Sequence, residues 1–245
     1  MLEGFSGTTA VIEITSSTEL ASRREAITLH TSDNLNLVGE LAMPVGSAPV
    51  AVLLTLHPLP THGGFMDSHV LRKAANRLPA LANLAVLRFN TRGTTSPHGT
   101  SEGSFGDGVS ERLDLEAALE FLADRKLGPV WLVGWSFGTE LAIKYGHDKD
   151  IAGAVLLSPP LHRASEADLA KWVGLNKKLV AVVPEHDEFL DPIQAAIRFA
   201  AAPEAQVIGI DGAKHLWVGE SATKAVLNQI VKIAAPGSYP LPERY

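Results

Sequence analysis

The stretch Val130-Trp131-Leu132-Val133-Gly134-Trp135-Ser136-Phe137-Gly138-Thr139 constrains this chain more than any other. It opens with an apolar, β-branched run that reads as a buried strand. It then turns through Gly134-Trp135-Ser136-Phe137-Gly138 and continues as Thr139-Glu140-Leu141-Ala142-Ile143-Lys144-Tyr145, which has helical composition. The pentapeptide alone recurs by chance in any chain containing glycine and serine; the strand before it and the helix after it give it content. A turn this tight forces the serine backbone into a strained region, so the residues two away on each side must be small. The strain lifts the Ser136 hydroxyl clear of the sheet, and the new helix points its first amides at any anion formed there.

The rest of the chain supplies the sheet that such a turn needs. Glu25 to His30 and Leu35 to Met43 alternate around Thr31-Ser32-Asp33-Asn34, the pattern of a hairpin. Val50 to Leu56, Ala85 to Phe89, Ile151 to Leu157, Leu179 to Val183 and Gln206 to Ile210 read as further strands. Helices are expected between them. One, capped by Asp67-Ser68, runs to about Asn83 with Pro79 bending or ending it. Another spans Glu111 to Lys126 and is stopped by Gly128-Pro129, and three more span Ser165–Val173, Asp191–Ala201 and Leu216–Ile233. Strands alternating with helices predict an α/β fold. Its central sheet is mostly parallel with helices on both faces, and the antiparallel hairpin lies at the N-terminal edge. With 245 residues, 46% of them hydrophobic, and no repeat or linker, one domain over 1–245 is the economical count. Residues 1–24 are an N-terminal extension in which Thr9 to Thr15 reads as an edge strand, and residues 235–245 are a C-terminal tail.

A serine hydroxyl becomes a useful nucleophile when a base takes its proton and a carboxylate orients that base. Both partners are sought where later strands end. The strand at Leu179 runs into Pro184-Glu185-His186-Asp187-Glu188-Phe189-Leu190-Asp191-Pro192, and the strand at Gln206 runs into Asp211-Gly212-Ala213-Lys214-His215. Of nine histidines, His215 follows the last strand and precedes the last helix, so it is the base. His57 and His186 have weaker placements, more ordinary as locally hydrogen-bonded or solvated residues. Asp187 is the acid; Asp191, just before Pro192, reads as a helix cap, and Glu185 and Glu188 as solvated. One oxyanion donor is expected to be the Phe137 backbone amide. The other comes from the loop His57-Pro58-Leu59-Pro60, where prolines lack the N–H and Leu59 is the only donor among residues 58–60. The amides of Gly63 and Gly64 remain open as alternatives.

Together these residues resemble the α/β-hydrolase superfamily. The resemblance runs from about residue 25 to 233 and rests on Gly134-Trp135-Ser136-Phe137-Gly138, on Asp187 with Pro192 beyond it, and on Gly212-Ala213-Lys214-His215. Arg88-Phe89-Asn90-Thr91-Arg92-Gly93 looks like the Arg-Gly loop that follows the fourth strand in such proteins. His57-Pro58 with Gly63-Gly64-Phe65-Met66-Asp67 is similar to small bacterial hydrolases related to dienelactone hydrolases and short-chain carboxylesterases. The resemblance implies an α/β-hydrolase fold with a minimal cap, because Ser158 to Lys178 has room for one short helix. His162, Leu161 and Trp172 are candidates for the pocket entrance there, with packing an equal reading for Trp172. It also implies hydrolysis of carboxylic esters with small or exposed acyl groups through an acyl-enzyme. Amide or thioester cleavage by the same residues, and a non-catalytic binding protein on the same fold, are the competing readings.

The remaining expectations are bounds. No cysteine is present, so a thiolate nucleophile and a zinc–thiolate site are out, and the cysteine chemistry of dienelactone hydrolases is not implied. No metal-ligand pair, phosphate loop or dinucleotide fingerprint appears, so no cofactor is expected. A net charge of −6 argues against nucleic acid or an anionic membrane as partner. No basic-then-apolar start and no apolar run of roughly 18 residues is seen, which favours a cytoplasmic protein acting on a small-molecule ester. The oligomeric state is open.

Overall fold

The computed structural model describes residues 11–245. Eight strands form one sheet: β1 (Arg23–His30), β2 (Asn36–Met43), β3 (Ala51–Leu56), β4 (Leu84–Phe89), β5 (Val130–Trp135), β6 (Gly153–Leu157), β7 (Lys178–His186) and β8 (Gln206–Lys214). Their spatial order is β1-β2-β4-β3-β5-β6-β7-β8. β1 pairs antiparallel with β2, and β2 antiparallel with β4. Every pairing from β4 across to β8 is parallel. β3 to β6 are buried along their whole length, as continuous apolar runs in a doubly covered sheet should be.

Among the described residues six α-helices cover the sheet: α1 (His69–Ala82), α2 (Glu111–Asp124), α3 (Phe137–Gly146), α4 (Glu166–Ala170), α5 (Pro192–Phe199) and α6 (Glu220–Ala234). Alternate residues of β3 divide between two cores. Val52, Leu54 and Leu56 pack with α2, α3, α4 and α5, and Ala51 and Leu53 with α1 and α6. Among the described residues, no helix is long and apolar enough to cross a membrane, and no group of His, Asp or Glu is arranged to hold a metal ion.

Several expectations are corrected. The candidate edge strand starts outside the described residues at Thr9 and Ala10. Its described part does not join the sheet, because Glu13 bridges Arg244 in the C-terminal tail and the Ile12 amide donates to the Tyr245 carbonyl at 2.7 Å. Pro79 does not end α1. A proline at that position leaves the Ala75 carbonyl without its helical donor, and the Arg24 guanidinium donates to it instead at 3.3 Å. Asp67 does not cap α1, because its carboxylate accepts from buried Arg88. Between β4 and α2, where no strand was expected, a small hairpin pairs Thr95–Ser96 with Gly99–Thr100. α6 begins at Glu220, four residues later than expected, because the chain first turns at His215 and Leu216, where the Trp217 amide donates to the Lys214 carbonyl at 2.8 Å and Trp217 takes φ 52°.

β7 and β8 both outrun their apolar cores. β8 pairs in register from Gln206 with Val180 to Ile210 with Pro184, then shifts so that Lys214 pairs with His186. Gly212, at φ 65°, lies in the shifted segment. The shift matters for the site: once Lys214 and His186 are partners, the next residue of each strand, His215 and Asp187, emerge side by side.

Candidate active site

The turn between β5 and α3 has the close approaches that its sequence demands. Ser136 has φ 51° and ψ −116°, a strained conformation for a residue with a side chain. A Cβ on Gly134 would lie 2.5 Å from the Gly138 carbonyl oxygen, and a Cβ on Gly138 would lie 2.0 Å from the Leu56 carbonyl oxygen of β3. Both contacts are prohibitive, so both positions require glycine. The strained turn is pinned by the Ser136 amide, which donates to the Leu157 carbonyl at 2.9 Å. The Thr139 hydroxyl and amide both donate to the Ser136 carbonyl.

The Ser136 hydroxyl lies 3.0 Å from Nε2 of His215, and Nδ1 of His215 lies 2.9 Å from Oδ2 of Asp187. The three residues form one hydrogen-bonded chain. The Asp187 carboxylate is almost fully buried, and its second oxygen accepts from the Phe189 amide at 2.9 Å. With Nδ1–H donated to that carboxylate, Nε2 is left to accept from the serine hydroxyl. Asp191 is elsewhere: it caps α5, accepting from the Gln194 amide at 2.8 Å while the Gln194 side chain returns the bond.

His215 is also held from behind. Its backbone carbonyl accepts from the Trp135 indole at 3.2 Å and from the Ser158 hydroxyl at 3.1 Å. The Leu216 carbonyl accepts from Nε2 of His69 at 2.7 Å, and the His69 ring stands edge-on to Trp135. These supports were not among the expected site residues. Trp135 and Ser158 carry a partial signal, since both end sheet strands beside Ser136; His69 carries none.

Of the two backbone amides expected to face an oxyanion, one lies in the loop after β3 and one at the start of α3. The Phe137 amide is the first of α3, and a helix leaves its first amides without intrahelical partners. The Gly63 and Gly64 amides are taken by the turn, donating to the Pro60 and Leu59 carbonyls. Of the donors left open by the sequence, Leu59 alone keeps its amide free of a bond among the described residues. Gly64 packs so closely that a Cβ there would lie 2.1 Å from the Pro58 carbonyl oxygen.

His57 is not part of the hydrogen-bonded chain. It is buried, donates through Nδ1 to the Pro58 carbonyl at 2.7 Å, and accepts at Nε2 from the Thr91 amide at 3.1 Å. Burial lowers its pKa to about 4, against the opposing effect of the bond to Pro58. It is therefore a neutral strut between the His57–Leu59 loop and the Arg-Gly loop. That second loop is fixed in turn by buried Arg92, which pairs with Asp114 and Asp33. His186 is exposed, with Nε2 3.7 Å from the Glu185 carboxylate, and makes no bond to Ser136, His215 or Asp187 among the described residues. Trp172 is buried packing, donating to the Ile143 carbonyl at 2.9 Å, and Leu161 is buried as well. His162 remains exposed beside Phe189.

A protein-family model described as the alpha/beta hydrolase family matches residues 53–190, more than half of the chain and including the β5–α3 turn and Asp187. The chain belongs to the alpha/beta hydrolase family. An uncharacterised protein of Rickettsia prowazekii is 32% identical over 127 residues, which are 51% of this chain and 50% of that protein. The chain thus spans about half the length of the curated relative it matches. The fold is shared with a serine hydrolase homologue from Coxiella burnetii, at TM-score 0.72 and 23% identity, covering 88% of this chain and 99% of that one. It is also shared with a serine hydrolase without a lid from Xanthomonas campestris, at TM-score 0.71 and 23% identity, covering 92% and 100%. An esterase from Pyrococcus furiosus superposes at TM-score 0.66 and 20% identity, covering 86% and 92%. In this chain the connection from β6 to β7 carries α4, five residues long.

Proposed function

We propose that this alpha/beta hydrolase cleaves carboxylic esters through an acyl-enzyme on Ser136. His215 takes the hydroxyl proton as Oγ attacks the ester carbonyl, and it returns that proton to the departing alkoxide. Asp187 fixes the imidazole tautomer and stabilises the imidazolium formed in between. The Phe137 and Leu59 amides receive the developing oxyanion. Water, activated by the same imidazole, then releases the acid. No cofactor enters these steps.

The observation that carries the reading is the unbroken hydrogen-bonded chain from Ser136 Oγ through His215 to the buried Asp187 carboxylate. A binding protein on this fold would need none of the three in register. The backbone strain at Ser136 supports the same reading, since strain of this kind persists where surrounding structure maintains it. The short α4 segment supports an open site and small or exposed acyl groups. The reading takes the chain as one domain in a cytoplasmic setting, acting on a small-molecule ester.

The test is a set of p-nitrophenyl esters of rising acyl length, with the matching anilides and thioesters. The ester reading expects turnover of the short esters, falling with chain length, and anilide rates lower by orders of magnitude. Faster turnover of the anilides or thioesters at equal acyl group would move the activity to that class.

A further inference from the structure

Phe189 lies two residues after Asp187, in the connection from β7 to α5, and it is 43% exposed although its ring is engaged on two sides. The ring stands edge-on to the His215 imidazole, with centroids 4.7 Å apart and planes at 71°. It meets His162, from the connection after β6, at 5.2 Å and 84°. Its amide is bonded to the Asp187 carboxylate, so the backbone that carries the ring is tied to the proposed relay. Nothing about folding requires a phenylalanine that shows so much surface over a catalytic histidine.

The chemistry of the proposed hydrolysis, on which this inference rests, fixes where the parts of an ester lie. The Ser136 Oγ–carbonyl bond forms as the proton passes to Nε2 of His215. The bond from the carbonyl carbon to the alcohol oxygen then breaks, and the same proton passes from Nε2 to that oxygen. The leaving oxygen must therefore lie within hydrogen-bond reach of Nε2, while the carbonyl oxygen is turned to the Phe137 and Leu59 amides. Whatever carbon group the leaving oxygen carries emerges along the imidazole, where the Phe189 ring stands. The acyl chain departs in another direction. We infer that Phe189, backed by His162, forms the wall of the leaving-group subsite and selects esters of flat, apolar alcohols.

The test uses the full chain and two ester series. In the first, the acyl group is acetyl and the alcohol is methanol, butanol or benzyl alcohol. All members share one acetyl-enzyme, so alcohol selectivity is read in kcat/KM. In the second, the alcohol is p-nitrophenol and the acyl chain lengthens. For Phe189→Ala, kcat/KM on benzyl acetate should fall about 3- to 10-fold, the worth of one aromatic contact. Methyl acetate should stay within about twofold, and the acyl-length preference should not move. Phe189→Leu should recover butyl acetate but not the full benzyl preference. A loss equal for all three alcohols would reduce Phe189 to a positioning role, and rates unchanged on all three would remove it altogether; either result overturns the inference alone. A wild-type protein that hydrolyses no ester in either series overturns the ester reading, and this inference with it.

Discussion

His57 should contribute to the weakening of this fold in acid. The buried imidazole is neutral, accepts from the Thr91 amide and holds a pKa of about 4, whereas in the unfolded chain it titrates near its ordinary 6.5. Between those values the unfolded state binds a proton that the folded state refuses, so stability rises with pH. The contribution is fully present above about pH 6.5 and is lost progressively as pH falls toward 4. A tenfold difference in proton affinity between the two states corresponds to about 1.4 kcal/mol, so the loss is about 2 kcal/mol on going from about pH 7 to about pH 5 and about 3 kcal/mol below pH 4. For a chain of this size, 2 kcal/mol lowers the melting temperature by about 4 to 8 °C. Carboxylates also titrate in acid, so the measurement compares wild type with His57→Gln, which keeps a neutral acceptor and has no proton to gain. Urea unfolding of both at about pH 7 and about pH 5 should show a wild-type loss larger by about 2 kcal/mol. Equal losses in the two proteins would refute the reasoning and place the acid sensitivity elsewhere.

Three further variants have distinct expected outcomes. Asp187→Asn should lose about 10⁴-fold in kcat with little change in melting, by analogy with the best-studied serine triad. Asp191→Ala should keep its activity and lose about 1 kcal/mol of stability, because it removes a helix cap; the opposite pattern on ester assay and thermal melt would exchange the two roles. Gly138→Ala should cost about 3 kcal/mol, the upper end of the overpacking range, because its Cβ would meet the Leu56 carbonyl oxygen at 2.0 Å. A variant that melts like wild type would show that β3 and α3 have room to separate.

The sheet and the strained turn were legible in the sequence because each rests on local chemistry. Continuous apolar runs mark strands covered on both faces, and the two glycines around Ser136 mark a turn where neighbouring backbones nearly touch. The separate fates of Asp187 and Asp191 were legible too, since Pro192 marks where a helix opens. Other features depend on partners distant in the chain. Pro79 ends a helix by local rules, and only Arg24, from β1, satisfies the carbonyl it frees. Asp67 reads as a cap until Arg88 is found against it. The extension of β8 to Lys214 depends on a register shift against β7, which no apolar pattern announces. His57 reads as a loop histidine of open role, and its neutrality follows from burial and from the Thr91 amide 34 residues away. Phe189 gives no sign in sequence that it will stand over His215, because that contact is set by how the β7–α5 connection folds back.

Whether Ser136 is a nucleophile activated by His215 is decided by labelling with a fluorophosphonate and locating the adduct by mass spectrometry. One adduct is expected, on Ser136. Labelling should disappear in Ser136→Ala and drop steeply in His215→Ala, while both variants melt close to wild type. Labelling on another residue, or undiminished labelling and ester turnover in a folded Ser136→Ala, would contradict that role of Ser136.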